Sequence, residues 1–126
     1  MANAEAGGDL RLNVETPLPE TLPAGRATAL FLFGPCFHRH AGIRGLEVLV
    51  DGEAHPVSAA GMPRLDLFRS LHPHLGTGDR PIPDSDPGVA EDPEVRCYRS
   101  GFWATVPVPA LAAGGEVVLE VRARLE

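Results

Sequence analysis

Two stretches far apart in the chain confine it to a β architecture. Ile43-Arg44-Gly45-Leu46-Glu47-Val48-Leu49-Val50 alternates and runs into Asp51-Gly52. An Asp-Gly pair after an alternating apolar run marks a hairpin. Ser100-Gly101-Phe102-Trp103-Ala104-Thr105-Val106-Pro107 is an aromatic-rich alternating strand that starts from a glycine. Successive strand side chains point to opposite faces, so Leu46, Val48 and Val50 are assigned to a core, and Glu47 and Asp51 to solvent. The cleanest period-two signal is Val117, Leu119, Val121 and Ala123 alternating with Val118, Glu120, Arg122 and Arg124. Gly and Pro supply 14 and 13 of 126 residues, a punctuation that favours many short strands over long helices.

The remaining pattern fits one domain. Residues 1–8 read as a flexible lead-in, and 9–126 as a single β-sandwich domain. Leu10, Leu12 and Val14 alternate with Arg11, Asn13 and Glu15, a half-buried strand. Pro17, Pro19 and Pro23 make the next segment a connector. Arg26 to Phe33 is nearly continuous apolar sequence ending at Gly34-Pro35, which suits a central strand buried on both sides or one leading to a bulge. Ala54 to Ser58 is the expected return of the hairpin. Asp66 is placed as the cap of a short helical turn carrying Leu67, Phe68 and Leu71. Residues 72–95 form a long Pro/Gly-rich acidic loop, and Arg96 to Pro107 returns to strand. About seven strands with one helical turn make a sandwich pattern.

Charge and composition remove several function classes. The net charge is -6, and the basic residues are eleven scattered Arg with no Lys, a bias attributed to a GC-rich genome. Nucleic-acid binding needs clustered cations, which an acidic chain of this kind lacks. No apolar run approaches ~18 residues, so no membrane span is expected. The first nine residues lack a basic and an apolar region, so a cytoplasmic location without a secretory signal is expected.

Few groups carry chemistry. Cys36, His38 and His40 share one face of an extended strand and are candidate zinc ligands, with His72, His74 or Cys97 to complete a set. The alternative is a buried small thiol beside solvated His side chains. Cys36 and Cys97 are spaced as in an immunoglobulin disulfide, but Trp103 follows the second Cys, and a cytoplasmic compartment favours free thiols. Asp84-Ser85-Asp86 mimics a sugar-nucleotide D-x-D, yet it has no nucleotide-binding domain around it. With Asp79, Glu91, Asp92 and Glu94 it reads as a solvated acidic loop. None of Ser58, Ser70, Ser85 and Ser100 sits in a nucleophile elbow, so no catalytic residue is assigned and an enzyme is not expected. Arg64 is expected to pair with a nearby carboxylate, or to grip an anionic ligand. With Phe102, Ala104 and Val106 inward, Trp103 and Thr105 face outward, where an indole can stack on a sugar or anchor a protein partner.

The hairpin Ile43 to Gly52, the segment Gly61-Met62-Pro63-Arg64-Leu65-Asp66 and the strand start Ser100-Gly101-Phe102 occur in that order. The set resembles an accessory immunoglobulin-like β-sandwich module of bacterial glycosyltransferase-containing proteins, over about Leu30 to Ala123. The corner reads Gly34-Pro35-Cys36-Phe37, with Pro35 at the place of that family's Trp. The resemblance implies an all-β, immunoglobulin-like antiparallel sandwich without a catalytic role or cofactor. It further implies a glycosyltransferase catalytic domain as partner, in cis or in trans; the strand pattern adds a surface around Trp103, Thr105 and Arg64 that is expected to recognise glycan or protein. A metal-binding Cys/His sandwich and a purely structural homo-oligomerisation domain are the alternatives.

Overall fold

The computed structural model describes residues 2–3, 8–75 and 86–126. In chain order they form β1 (Ala2–Asn3), β2 (Leu10–Leu12), β3 (Thr28–His38), β4 (Ile43–Val50), β5 (Glu53–Pro56) and β6 (Ala59–Met62). Helices α1 (Leu65–Leu71) and α2 (Gly88–Glu91) follow, then a 3-10 turn (Arg96–Arg99), β7 (Gly101–Val108) and β8 (Leu119–Leu125). The protein is all-β. One sheet has the order β1-β8-β4-β5 and the other β2-β3-β7-β6. Their ladders are antiparallel except the short parallel pair β1 with β8. Among the described residues no helix is long and apolar enough to cross a membrane.

Alternation decides which side chains meet. Leu30, Leu32, Phe102, Ala104, Val106 and Val108 of one sheet are buried against Leu46, Val48, Val50, Leu119 and Val121 of the other. Hydrophobic burial at this shared face holds the two sheets together. At the hairpin, Asp51 and Gly52 both take positive φ, +48° and +85°. Asp51 also accepts the Val118 amide through Oδ1 at 2.8 Å and donates its own amide to the Val118 carbonyl, so the same turn fixes the approach to β8.

The structure corrects the sequence reading at several elements. β3 is buried on one face, not two, as far as Phe33: Phe31 and Phe33 are 48% and 39% exposed, while Leu30 and Leu32 point inward; from Gly34 to His38 every residue is buried. Nor does the strand end at Gly34-Pro35. It leaves β7 there and continues beside β2, with Leu12 opposite Cys36. The Pro35 carbonyl accepts the Asn13 amide and the Phe33 carbonyl that of Glu15, so the segment after β2 lies over Gly34. A β-carbon on Gly34 would fall within the Asn13 carbonyl, which is why a glycine stands there. β6, built from Ala, Gly and Met, lacks the usual strand formers and was not expected. Residues 96–99 form a 3-10 turn where strand was expected, because the Asp92 carboxylate takes the Arg96 and Cys97 amides away from any ladder. Asp66 does not cap α1. Arg64 is the cap residue, and the Asp66 carboxylate is occupied by the Arg64 guanidinium.

Candidate binding site

The outer face of β3 and β7 carries the largest group of aromatic side chains near solvent. Antiparallel register sets Phe33 opposite Trp103 and Phe31 opposite Thr105, so all four share one face. Phe31 lies 5.8 Å from Phe33 and 6.0 Å from Trp103 between ring centroids, tilted by 41° and 39°. Trp103 is 36% exposed and Met62 40%. These rings border a hollow of about 760 Å³ whose other walls include Glu15, Arg64 and Asp66, within the roughly 300–1,000 Å³ of small-ligand sites. Trp103 and Arg64 thus lie at one hollow, and Thr105 extends the same face.

Arg64 forms the polar end. Its Nη1 and Nη2 donate to Glu15 Oε1 and Oε2 at 2.9 and 3.1 Å. Nε and Nη2 donate to Asp66 Oδ1 and Oδ2 at 2.9 and 2.8 Å. Two carboxylates hold the guanidinium in its charged form, the Asp66 hydrogen bonds first among the causes. In return Arg64 holds the Asp66 carboxyl down at about 2. The Arg64 amide is fixed as well, donating to the Tyr98 carbonyl at 2.7 Å. An apolar ring platform beside a pre-oriented guanidinium and two carboxylates can stack a flat apolar surface and hydrogen-bond hydroxyls at its edge.

The other candidates separate. Cys36, His38 and His40 do not form a ligand set. Cys36 is packed into the core, where burial pushes its thiol up to about 12. His38 is buried and its Nδ1 accepts the His40 and Ala41 amides, which closes the turn after β3. His40 is exposed. Both cysteines are free thiols, without a bridge. Ser100 is buried and donates its hydroxyl to the Cys97 carbonyl.

The acidic loop is solvated at Glu91 and Glu94, as expected, but not at Asp86 and Asp92. Asp79, Asp84 and Ser85 lie outside the described residues. Asp86 and Asp92 are 3% and 0% exposed and flank a fully buried His72, at Nδ1 and Nε2, each at 3.0 Å. Burial pushes the neighbouring Cys97 thiol far up, with a further contribution from Asp92. No periodic signal marks this cluster in the sequence, because all its members lie in turns and helix ends.

Comparison of the chain with known protein families, with curated proteins and with solved structures gives no match.

Proposed function

We propose that this chain is a non-catalytic binding module of immunoglobulin-like type that holds a carbohydrate on the outer face of β3 and β7. The observation that carries the reading is the continuous Phe31, Phe33 and Trp103 surface ending at Arg64, Glu15 and Asp66. Stacking on the rings would supply affinity, and the charged end would orient hydroxyl groups. The strand order supports the immunoglobulin-like type: β2-β3-β7-β6 follows the A-B-E-D sheet of that fold, and β8-β4-β5 its F-C-C′ strands. The resemblance to accessory modules of glycosyltransferase-containing proteins supports a role in positioning a catalytic domain on its acceptor.

Trp103 is the only tryptophan, so its emission has one source. Titration with oligosaccharides and sugar nucleotides is expected to give a saturable blue shift with one sugar class. An emission maximum indifferent to every sugar removes the carbohydrate reading. A second reading rests on the extent of exposed apolar surface: Phe31, Phe33, Met62 and Trp103 together suit a protein contact. In that case the emission is already blue-shifted at high protein concentration, and gel filtration shows a concentration-dependent dimer or a complex with the catalytic domain.

A further inference from the structure

The buried cluster around His72 is separate from the aromatic face and plays no part in the reading above. His72, Asp92 and Cys97 are each 0% exposed. One donor atom from each lies within 4.8 Å of the others, and His72 Nε2 is 3.0 Å from Asp92 Oδ2. Donors about 2.0–2.3 Å from a tetrahedral zinc ion lie roughly 3–4 Å from one another. Closing this set on an ion replaces the His72 Nε2 contact with Asp92 Oδ2 and draws the Cys97 sulfur inward.

The surroundings match what a metal-bound imidazole needs. Its other nitrogen, Nδ1, faces Asp86 Oδ1 at 3.0 Å, and that oxygen is held by the Gly88 amide at 2.8 Å. A carboxylate behind a ligating histidine fixes the tautomer and turns the free nitrogen toward the metal. Gly88 makes the approach possible, since a β-carbon there would fall within the His72 ring.

Charge does not discriminate between a bound ion and a protonated His72, so a metal site rests on the geometry of the donors. Two carboxylates are shut away from water beside one imidazole, which balances at most one of them. Among the described residues Asp86 Oδ2 has no hydrogen-bond partner. Buried charge without compensation is costly; a divalent cation beside two carboxylates, the Cys97 thiolate and a neutral ring leaves one net negative charge, as does a protonated ring beside a neutral thiol.

We propose that His72 Nε2, Asp92 Oδ2 and Cys97 Sγ bind a divalent ion of the zinc class, with Asp86 orienting His72 from behind. Nitrogen, oxygen and sulfur together select zinc over magnesium and calcium, which favour oxygen alone. A tetrahedral ion takes its fourth ligand from outside this set. Because the three ligands are closed to solvent, the ion is structural. It fastens the end of α1, the end of α2 and the 3-10 turn to one another.

The test uses the full chain. Metal analysis of protein refolded with zinc and desalted is expected to give one equivalent per chain. Refolding with cobalt(II) is expected to produce a sulfur-to-cobalt charge-transfer band in the near ultraviolet. The band persists in Cys36→Ser, is lost in Cys97→Ser, and chelation of the wild-type protein lowers the thermal midpoint. Wild-type protein with no stoichiometric metal and no band overturns the proposal, whether or not the Cys97 variant folds. So does a band that disappears in Cys36→Ser alone, which moves the ion elsewhere.

Discussion

Arg64 and Glu15 meet across 49 positions of sequence through two parallel hydrogen bonds of 2.9 and 3.1 Å. The contact ties the segment that follows β2 to the residue that begins α1, and it aims the same guanidinium at Asp66. Only a planar fork makes four such bonds at once.

Arg64→Lys keeps the charge but loses the fork. Stability is expected to change by less than about 1 kcal/mol, as is usual for ion pairs near solvent. On the proposed carbohydrate reading, affinity for the sugar is expected to fall by about tenfold, which is ~1.4 kcal/mol. Chemical denaturation and Trp103 fluorescence titration read the two effects separately. Unchanged affinity would remove Arg64 from the site.

Asp66 provides a pH test of the same contact. Its folded carboxyl is held at about 2 against an ordinary 3.8. A depressed folded value means its stabilising effect is complete above pH ~4 and is lost as pH falls toward 2. The side chain is 68% exposed, so the effect on stability is small. The titration itself is the readout. Carboxyl NMR should show Asp66 titrating near 2 in the wild type and close to its ordinary value in Arg64→Met.

Cys36 sets an alkaline limit. The unfolded thiol ionises near 9.0 and the folded one near 12. A raised folded value gives stability that is complete below pH 9 and is lost as pH rises toward 12, by about 1.4 kcal/mol per pH unit in that window. Unfolding curves at pH 8 and pH 10.5 should differ accordingly, and Cys36→Ala should reduce the difference, leaving the part due to the buried Cys97 thiol. Native Cys36 should also resist a thiol reagent at pH 8 and react once denatured.

Neighbours on β3 and β7 should respond oppositely to truncation. Leu32 is fully buried, and Leu32→Ala is expected to cost about 2–5 kcal/mol. Trp103→Ala, across the ladder on the other face, should leave the fold within about 1 kcal/mol while abolishing sugar binding by calorimetry. A Trp103 variant as unstable as the Leu32 variant would place the indole in the structural core.

Gly34 reports on the crossing above β3. Gly34→Ala is expected to cost about 1–3 kcal/mol through backbone displacement, and to weaken hydrogen-exchange protection of the Asn13 and Glu15 amides. Wild-type protection of those amides in the variant would contradict the close approach.

What could be read from the chain alone follows the physics of alternation. β7 and β8 each bury one face and solvate the other, so their period of two is written in residue type; β4 does so only up to Val48, since Leu49 on its second face is buried too. Trp103 and Thr105 are legible as outward for the same reason. β6 is not, since Ala59, Ala60, Gly61 and Met62 carry no such contrast. The one-sided burial of β3 up to Phe33 is hidden because Phe31 and Phe33 are as apolar as the core residues beside them. Phe31 and Phe33 take their place beside Trp103 only through the register of β3 with β7. The His72 cluster is illegible for a different reason: polar residues in a loop are read as solvated, and nothing local distinguishes one that folds inward.

The ladders have a consequence for how the chain reaches this state. β3 pairs with β7, and β4 with β8, so each long ladder joins a strand from residues 28–50 to one from residues 101–125. During synthesis the apolar strands of the first half emerge well before their partners exist. Until then only the local β4–β5 hairpin and the β2–β3 contact can shield them. Pairing at such separation is slow, and exposed strands are prone to aggregate. The arginines at 26, 39 and 44, which bracket β3 and stand at the start of β4, sit where charge interrupts association between unfinished chains.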